Sequence, residues 1–211
     1  MSEDFVPTPV GTARITWYPA HGSLRAVALL GHGSATGIES ADLQALAGAL
    51  PSRNVTVGLV TQPYRLEVNP GAAGEAALDL AWTAVWSAAA GPGVPVVAGG
   101  RSAGAQVACR TAAELGAHAV LALAYPLLGP GSPWELLATG RPTLVVQGGN
   151  DPFGRPGQFP RLPPEIELVE IPSANHTFGT GTGMPRAASM TLITTAVTEW
   201  IDRQLSAAHT P

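Results

Sequence analysis

The chain has little cysteine, little charge and no long apolar run, and each shortage excludes a class of protein. Its one cysteine, Cys109, rules out an intramolecular disulfide framework. Charged residues make up only 12% of the sequence and the eleven basic ones are scattered, which argues against a nucleic-acid partner. No uncharged apolar run reaches the length of about 18 residues that a membrane span needs. The closest, Ala76 to Ala90, contains Asp79 and predicts a buried helix.

Two further absences concern targeting and metal binding. The acidic start, residues 1–10, lacks the apolar stretch of a signal peptide, so we expect a cytoplasmic protein. No C-x-x-C or H-x-x-x-H spacing indicates a metal site, and no cofactor is expected. Apolar sequence, in contrast, is abundant. Of the 211 residues 45% are hydrophobic, which excludes a disordered chain and suffices for a sizeable core.

The order of the apolar segments predicts the fold class. Short apolar runs, typical of strands buried on both faces, alternate with segments of helical period. The predicted strands cover residues 12–18, 25–31, 54–61, 94–98, 119–124, 142–147 and 166–171, and the predicted helices 38–50, 73–90, 105–115, 134–138 and 186–205. This alternation predicts an α/β fold with a three-layer, doubly wound, mostly parallel sheet. We expect a single domain, residues 1–211, with 1–10 and 206–211 frayed.

The segment Gly100 to Gly104 reads G-x-S-x-G between a predicted strand and a predicted helix. In a nucleophile elbow, the central serine sits on a sharp strand-to-helix turn that exposes its hydroxyl above the sheet. Gly100 and Gly104 would then be required because a Cβ at either position would meet neighbouring backbone. Alternatively, Ser102 is a helix N-cap after a glycine loop, since a chain with 25 glycines produces such spacings by chance. The flanking strand and helix favour the nucleophile.

Polar clusters follow several predicted strands at the carboxyl edge of the sheet, where α/β proteins hold their sites. Elbow-type hydrolases place their triad in the chain order serine, acid, histidine. Ser102, Asp151 and His176 stand in that order, each directly after a predicted strand. Each has an alternative, because an Asp-Pro pair also forms turns and a loop histidine can simply lie on the surface. The remaining histidines fit the role of the base less well: His21 lies in a turn, His118 at the opposite edge of the sheet, His32 before the serine in the chain, and His209 in the tail.

Two backbone N–H groups are predicted to form an oxyanion hole. One belongs to Ala103, at the start of the helix after the elbow. The other belongs to Ser34 in the sequence GHGSATG, which follows an earlier strand and in which Gly33 lets the backbone turn inward. This sequence could instead be a phosphate loop. However, its third glycine comes one residue late for the dinucleotide fingerprint, and the Gly-Lys-Ser/Thr of a P-loop is absent.

Side chains near these loops are candidates for binding substrate. The predicted pocket residues are His32, Tyr64, Phe153 and Phe178. Arg101, beside the predicted nucleophile, has two interpretations: it pairs with other groups under the elbow, or it binds substrate. The structural interpretation is favoured, since such arginines commonly pair or cap.

With these residues in place, the sequence resembles the α/β-hydrolases and, more narrowly, the small dienelactone-hydrolase-like group. The similarity is carried by LLGHGSATGIES, QPY, GGRSAGAQVACR, YPL, LVVQGGNDPFG and NHTF, which together span most of the chain. The resemblance implies an eight-stranded type of sheet trimmed at its start, with the Ser102–Asp151–His176 triad. The chain departs from the group at residues 127–134, which are too few for a large lid, so we expect an open, shallow site.

The sequence therefore predicts a serine hydrolase that cleaves a small ester or thioester through an acyl-enzyme on Ser102. A biosynthetic thioesterase, lactonase or cyclase would use the same residues. The alternative from another class is a binding module that kept the fold and an idle triad, as in relatives that belong to scaffold complexes. Dehalogenase chemistry would want an aspartate in place of Ser102. We expect a small-molecule acyl substrate, no nucleic-acid or membrane partner, and a monomer or homodimer.

Overall fold

An eight-stranded sheet forms the centre of the computed structural model, which describes residues 1–67, 73–91, 93–128, 133–181 and 184–207. The strands are β1 (Ser2–Thr8), β2 (Gly11–Tyr18), β3 (Ala26–Gly31), β4 (Val55–Thr61), β5 (Val96–Arg101), β6 (Ala119–Leu123), β7 (Thr143–Gly148) and β8 (Ile166–Ile171). Their order across the sheet is β1-β2-β4-β3-β5-β6-β7-β8. β2 pairs antiparallel with β1 and β4, whereas all other neighbours are parallel. The predicted mostly parallel sheet is confirmed.

Helices cover both faces of this sheet. Within the described ranges they are α1 (Ala41–Ala49), α2 (Glu75–Ala89), α3 (Ala103–Thr111), α4 (Pro133–Leu137) and α5 (Arg186–Ala207). α1 and α5 bury their apolar side chains against one face, and α2, α3 and α4 bury theirs against the other. This arrangement confirms the predicted three layers. None of these helices has both the length and the apolar content to cross a bilayer.

The expectation that residues 1–10 fray is wrong. Ser2–Thr8 forms β1, an edge strand whose seven residues all pair with β2. Only Val6 of this strand is buried, so its sequence lacks the apolar pattern that marks the interior strands. The sheet consequently has eight strands rather than the trimmed set that the resemblance implied. At the other end, α5 continues to Ala207, and residues 208–211 lie outside the described residues.

The interior strands explain where the polar clusters meet. Every residue of β3, β5, β6 and β7 is buried, as expected for parallel strands covered on both faces. These strands and β8 run parallel, so the loops that follow them leave the sheet at the same edge. The loops after β3, β5, β7 and β8 begin at positions 32, 102, 149 and 172. The predicted nucleophile, acid and base therefore start from one edge.

Three glycines bring the backbones of β3, β5 and α3 into direct contact. A Cβ on Gly100 would lie 2.5 Å from the carbonyl oxygen of Gly31 and 2.8 Å from the carbonyl carbon of Gly104. A Cβ on Gly104 would lie 2.5 Å from the same Gly31 oxygen and 2.8 Å from the carbonyl oxygen of His32. Both glycines that flank the predicted nucleophile are thus required because backbone occupies the space that a side chain would need.

Gly104→Ala is expected to lower the free energy of unfolding by about 1–3 kcal/mol or more, because the added methyl group meets backbone that cannot rotate away. Gly48→Ala is the matched control. Gly48 lies inside α1, where an added Cβ has nothing within 4 Å, so this change should raise the free energy of unfolding by up to about 1 kcal/mol. Urea denaturation measures both. Equal effects of the two substitutions would contradict the packing argument.

Candidate active site

Ser102 occupies the turn between β5 and α3 in a backbone conformation that few side chains adopt. Its φ is 51° and its ψ is −118°, which are the angles of the first central residue in a type II′ turn, where glycine dominates. Its N–H donates to the carbonyl of Leu123 at 2.9 Å, and its carbonyl accepts from the N–H groups of Ala105 and Gln106. Its hydroxyl makes no capping bond to α3. The N-cap interpretation therefore does not describe this side chain.

The Ser102 hydroxyl is instead hydrogen-bonded to His176. Its Oγ lies 3.0 Å from Nε2 of the imidazole, and Nδ1 of the same ring lies 2.8 Å from Oδ2 of Asp151. Because an ionised carboxylate only accepts hydrogen bonds, Nδ1 carries the proton and Nε2 accepts from the hydroxyl. Three residues that span 74 positions of the sequence are thus joined in one continuous series of hydrogen bonds.

Asp151 is fully buried, and three donors satisfy its carboxylate. Besides His176, the N–H of Phe153 donates to Oδ1 at 2.8 Å, and Nε2 of Gln147 donates to Oδ2 at 3.0 Å. The Gln147 amide also lies 2.7 Å from the carbonyl oxygen of Gly154, so it ties the acid to the far side of its own loop. Sequence reasoning missed Gln147. Its signal was a lone amide near the end of a mostly apolar, fully buried strand.

The loop that carries His176 is shaped by Asn175. Oδ1 of Asn175 accepts from the N–H groups of Thr177 and Gly179 at 3.0 Å each, and its N–H donates to the carbonyl of Gly179 at 2.8 Å. The loop turns inward at Phe178, where φ is 56°. The Phe178 side chain is completely buried in the core beneath α5, so its prediction as a pocket wall is wrong.

A cleft of about 320 Å³ opens beside Ser102 and His176. Phe153, one of the predicted pocket residues, lines this cleft, and its ring centroid lies 4.6 Å from that of His176. Both predicted oxyanion residues, Ser34 and Ala103, also line it. The lining contains further residues that the sequence had not singled out, among them Thr36, Glu75, Leu78, Gln106 and Pro126.

The two oxyanion candidates owe their placement to different features. Ala103 is the first residue of α3, and the first N–H groups of a helix have no acceptor within it. Ser34 is brought close by Gly33, where a Cβ would lie 2.9 Å from Nη1 of Arg101 and 3.3 Å from Cβ of Ser102. Gly33 does not have a positive φ. Glycine is needed there for clearance beside the nucleophile.

His32 and Tyr64 are not among the residues that line the cleft, which corrects their prediction as pocket residues. Nε2 of His32 accepts from the N–H of Gln62 at 3.1 Å, and Nδ1 donates to the carbonyl of Gly33 at 2.7 Å. Burial lowers the pKa of His32, so the ring is neutral and braces the loop that holds Ser34. Tyr64 lies against this ring, 5.8 Å between centroids, and lines a neighbouring depression.

The structure decides between the two interpretations of Arg101 in favour of pairing. Its side chain is only 4% exposed, and Nε donates to Oδ2 of Asp42 at 2.9 Å. Sequence reasoning missed Asp42, because an acidic residue in the first turn of a helix is common for its effect on the helix dipole alone.

Among the described residues, neither a metal-binding cluster nor a reactive thiol accompanies the elbow. Within the described ranges, no three or more His, Cys, Asp or Glu side chains come together as a metal site. Cys109 is buried in α3, and this burial strongly raises the pKa of its thiol. The sulfur is therefore an apolar packing group here.

Ser102→Gly is expected to raise the free energy of unfolding by about 1 kcal/mol, because glycine relieves the strain of a positive φ. Ser102→Ala, which keeps a Cβ in the same conformation, should leave it within about 0.5 kcal/mol of wild type. Urea unfolding at constant m-value compares the two variants. If the glycine variant were the less stable of them, the turn would not be strained.

The free energy of unfolding should decrease as the pH is lowered below about 6.5, the pKa of a histidine in an unfolded chain. The reason is that His32 titrates at a lower pKa in the folded protein. Between the two pKa values the unfolded chain binds a proton that the folded chain excludes. His32→Gln should flatten the loss of unfolding free energy between pH 7.5 and 5.5. His21→Gln, at an exposed histidine, should leave the slope unchanged, and equal slopes in all three proteins would exclude a contribution from His32.

The fold has counterparts among solved structures. A protein from Xanthomonas campestris, described as an α/β serine hydrolase without a lid, aligns with a TM-score of 0.78 at 21% identity over 100% of this chain and 96% of its own. A dienelactone hydrolase from Anabaena variabilis aligns at 0.74 and 20% identity over 96% of each chain. Est1E from Butyrivibrio proteoclasticus aligns at 0.76 and 13% identity over 98% of this chain and 100% of its own.

A match in sequence to a family model identifies the family of this chain. No curated protein matches the chain in sequence. A family model described as the alpha/beta hydrolase domain matches residues 24–202, which is most of the chain and includes the elbow, the acid loop and the histidine loop. The resemblance predicted from the motifs is confirmed, and the chain belongs to the α/β-hydrolase family.

Proposed function

We propose that this protein is a serine hydrolase that cleaves a small ester or thioester through an acyl-enzyme on Ser102. The observation that carries the proposal is the continuous hydrogen-bonded chain from Ser102 through His176 to Asp151, with distances of 3.0 and 2.8 Å. A serine hydroxyl is a weak nucleophile until an adjacent base takes its proton. The base here is in contact with the hydroxyl, and its tautomer is fixed by a buried carboxylate.

In the first half of the reaction, Ser102 Oγ attacks the carbonyl carbon of the substrate while His176 Nε2 takes the hydroxyl proton. Asp151 remains ionised, holds the ring with Nδ1 protonated and stabilises the imidazolium that forms. The carbonyl oxygen becomes an oxyanion directed at the N–H groups of Ala103 and Ser34. When this intermediate collapses, the alcohol or thiol leaves with the proton from His176, and the acyl group stays on Ser102.

In the second half, water replaces the departed alcohol or thiol. His176 takes a proton from this water as it attacks the acyl-enzyme carbonyl, and the same two N–H groups face the second oxyanion. Collapse breaks the ester bond to Ser102, returns the proton to its oxygen and releases a carboxylic acid. The Phe153 ring, packed on the imidazole, keeps the base in one orientation through both halves.

The cleft favours a small, uncharged acyl group. Only nine residues, 124–132, lie between β6 and α4, which are too few for a large lid. The arginine of the lining, Arg101, is already bonded to Asp42. Among the described lining residues the other permanently charged side chain is Glu75, so an anionic acyl group would meet repulsion rather than a free cation.

Labelling with a serine-reactive fluorophosphonate tests the proposal without a known substrate. We expect one adduct, which peptide mapping places on Ser102 and which Ser102→Ala abolishes. His176→Ala should slow labelling by about 10²–10⁴-fold, the usual contribution of a general base. Ser87→Ala, at an exposed serine of α2, is the control and should label like wild type. A folded wild-type protein that takes no label, and turns over no activated ester, would instead be a binding module with an idle triad.

A further inference from the structure

Arg101 contacts three separate segments around the catalytic edge. Its Nε donates to Oδ2 of Asp42 in α1 at 2.9 Å, and its Nη1 donates to Oγ1 of Thr36, in the loop after β3, at 3.0 Å. Its Nη2 donates to the main-chain carbonyl of His176, in the loop after β8, at 2.6 Å. Because Arg101 directly precedes Ser102, one side chain links the turn of the nucleophile to the loop of the base.

We propose that Arg101 is the positioning residue of this triad, and that its guanidinium sets the Ser102–His176 distance by binding the His176 carbonyl. The inference rests on the proposed function and adds to it the residue that aligns base with nucleophile. Arg101 acts through His176 and not on the reacting atoms.

Among the described residues, the other backbone hydrogen bonds of the histidine loop do not reach β5 or the turn of the nucleophile. The Asn175 bonds lie within the loop, so they fix its shape but not its place. The N–H of Asn150 donates to the carbonyl of Ala174 at 2.8 Å, which joins the loop to the neighbouring loop of Asp151. These bonds hold the base relative to the acid. The bond from Arg101 holds the same loop relative to β5, from which the nucleophile turns.

Asp42 neutralises the positive charge that Arg101 places beside His176. An unpaired guanidinium beside His176 would oppose the imidazolium that forms during the reaction. Asp42, only 2% exposed, pairs with Arg101, and its other oxygen accepts the N–H of Leu43 at 3.0 Å. The pair thus supplies a planar fork of donors without net charge. A lysine presents a compact ammonium on a flexible stem and cannot reproduce this fork.

The test variant is Arg101→Met/Asp42→Leu, because removing both charges avoids leaving one of them buried and unpaired. The matched control is Arg110→Met/Asp79→Leu/Glu135→Gln. Arg110 of α3 pairs with Asp79 of α2 at 2.8 Å and with Glu135 of α4 at 3.1 Å, and none of the three lines the cleft. Both variants lose an Arg–Asp pair without leaving a partner charge behind, but only the first loses a contact to the triad.

We expect the Arg101→Met/Asp42→Leu protein to fold while its fluorophosphonate labelling rate and its kcat on p-nitrophenyl acetate fall about 10²-fold, as a misplacement of about 1 Å would cause. KM should stay near that of wild type. The ¹⁵N chemical shift of His176 Nε2, which reports the hydrogen bond from Ser102, should move toward the value of a ring nitrogen that has lost this donor. The control should keep all of these at wild-type values. Arg101→Lys should give rates between those of wild type and the double variant.

Three results would overturn the inference. A folded double variant with wild-type labelling and an unchanged Nε2 chemical shift would make the pair purely structural. A raised KM with unchanged kcat would assign Arg101 to substrate binding. If the double variant does not fold, wild-type rates in folded Arg101→Lys would overturn the inference as well. The NMR readout needs no turnover, so it decides the role of Arg101 even if wild type takes no label and the proposed function fails.

Discussion

The close approach of three backbone segments governs the rest of this molecule. β3, β5 and the start of α3 touch at Gly31, Gly100 and Gly104, with no room for an additional carbon at Gly100 or Gly104. This contact lets the chain reverse sharply from strand to helix, which forces Ser102 to a φ of 51° and lifts its hydroxyl off the sheet. It also brings the loop after β3 alongside the elbow. The exposed position of the Ser102 hydroxyl and the placement of the predicted oxyanion donors are thus consequences of one packing constraint.

The remaining parts of the site depend on the parallel interior of the sheet. Buried strands that share a direction release their loops at a common edge, so residues far apart in sequence need only short loops to meet. Asp151 is held by groups of its own segment, chiefly Gln147 near the end of β7, whereas His176 lies on a loop shaped by Asn175. Arg101, paired with Asp42, joins the His176 loop to β5 and α1.

Local pattern and chain order were enough to predict the sheet interior and to select Ser102, Asp151 and His176, which the structure joins by hydrogen bonds. Both follow from nearest-neighbour chemistry and from a fixed sequence of strands. Predictions failed where long-range packing decides. β1 has one buried residue and exists through its pairing with β2. Phe178 and Phe153 are both loop aromatics in sequence, yet a positive φ turns only Phe178 into the core. The partner of Arg101 lies 59 residues away in a helix that carries no distinguishing pattern.

The thiol of Cys109 is buried, so the redox state of the surroundings should not affect the site through this residue. The chain has no second cysteine to form a disulfide, and the one sulfur is enclosed in α3 with a raised pKa, so little thiolate is available to an oxidant. Because the one sulfhydryl of the chain is buried, no thiol is available for a redox switch at this site. Oxidising and reducing environments should therefore leave the elbow in the same covalent state.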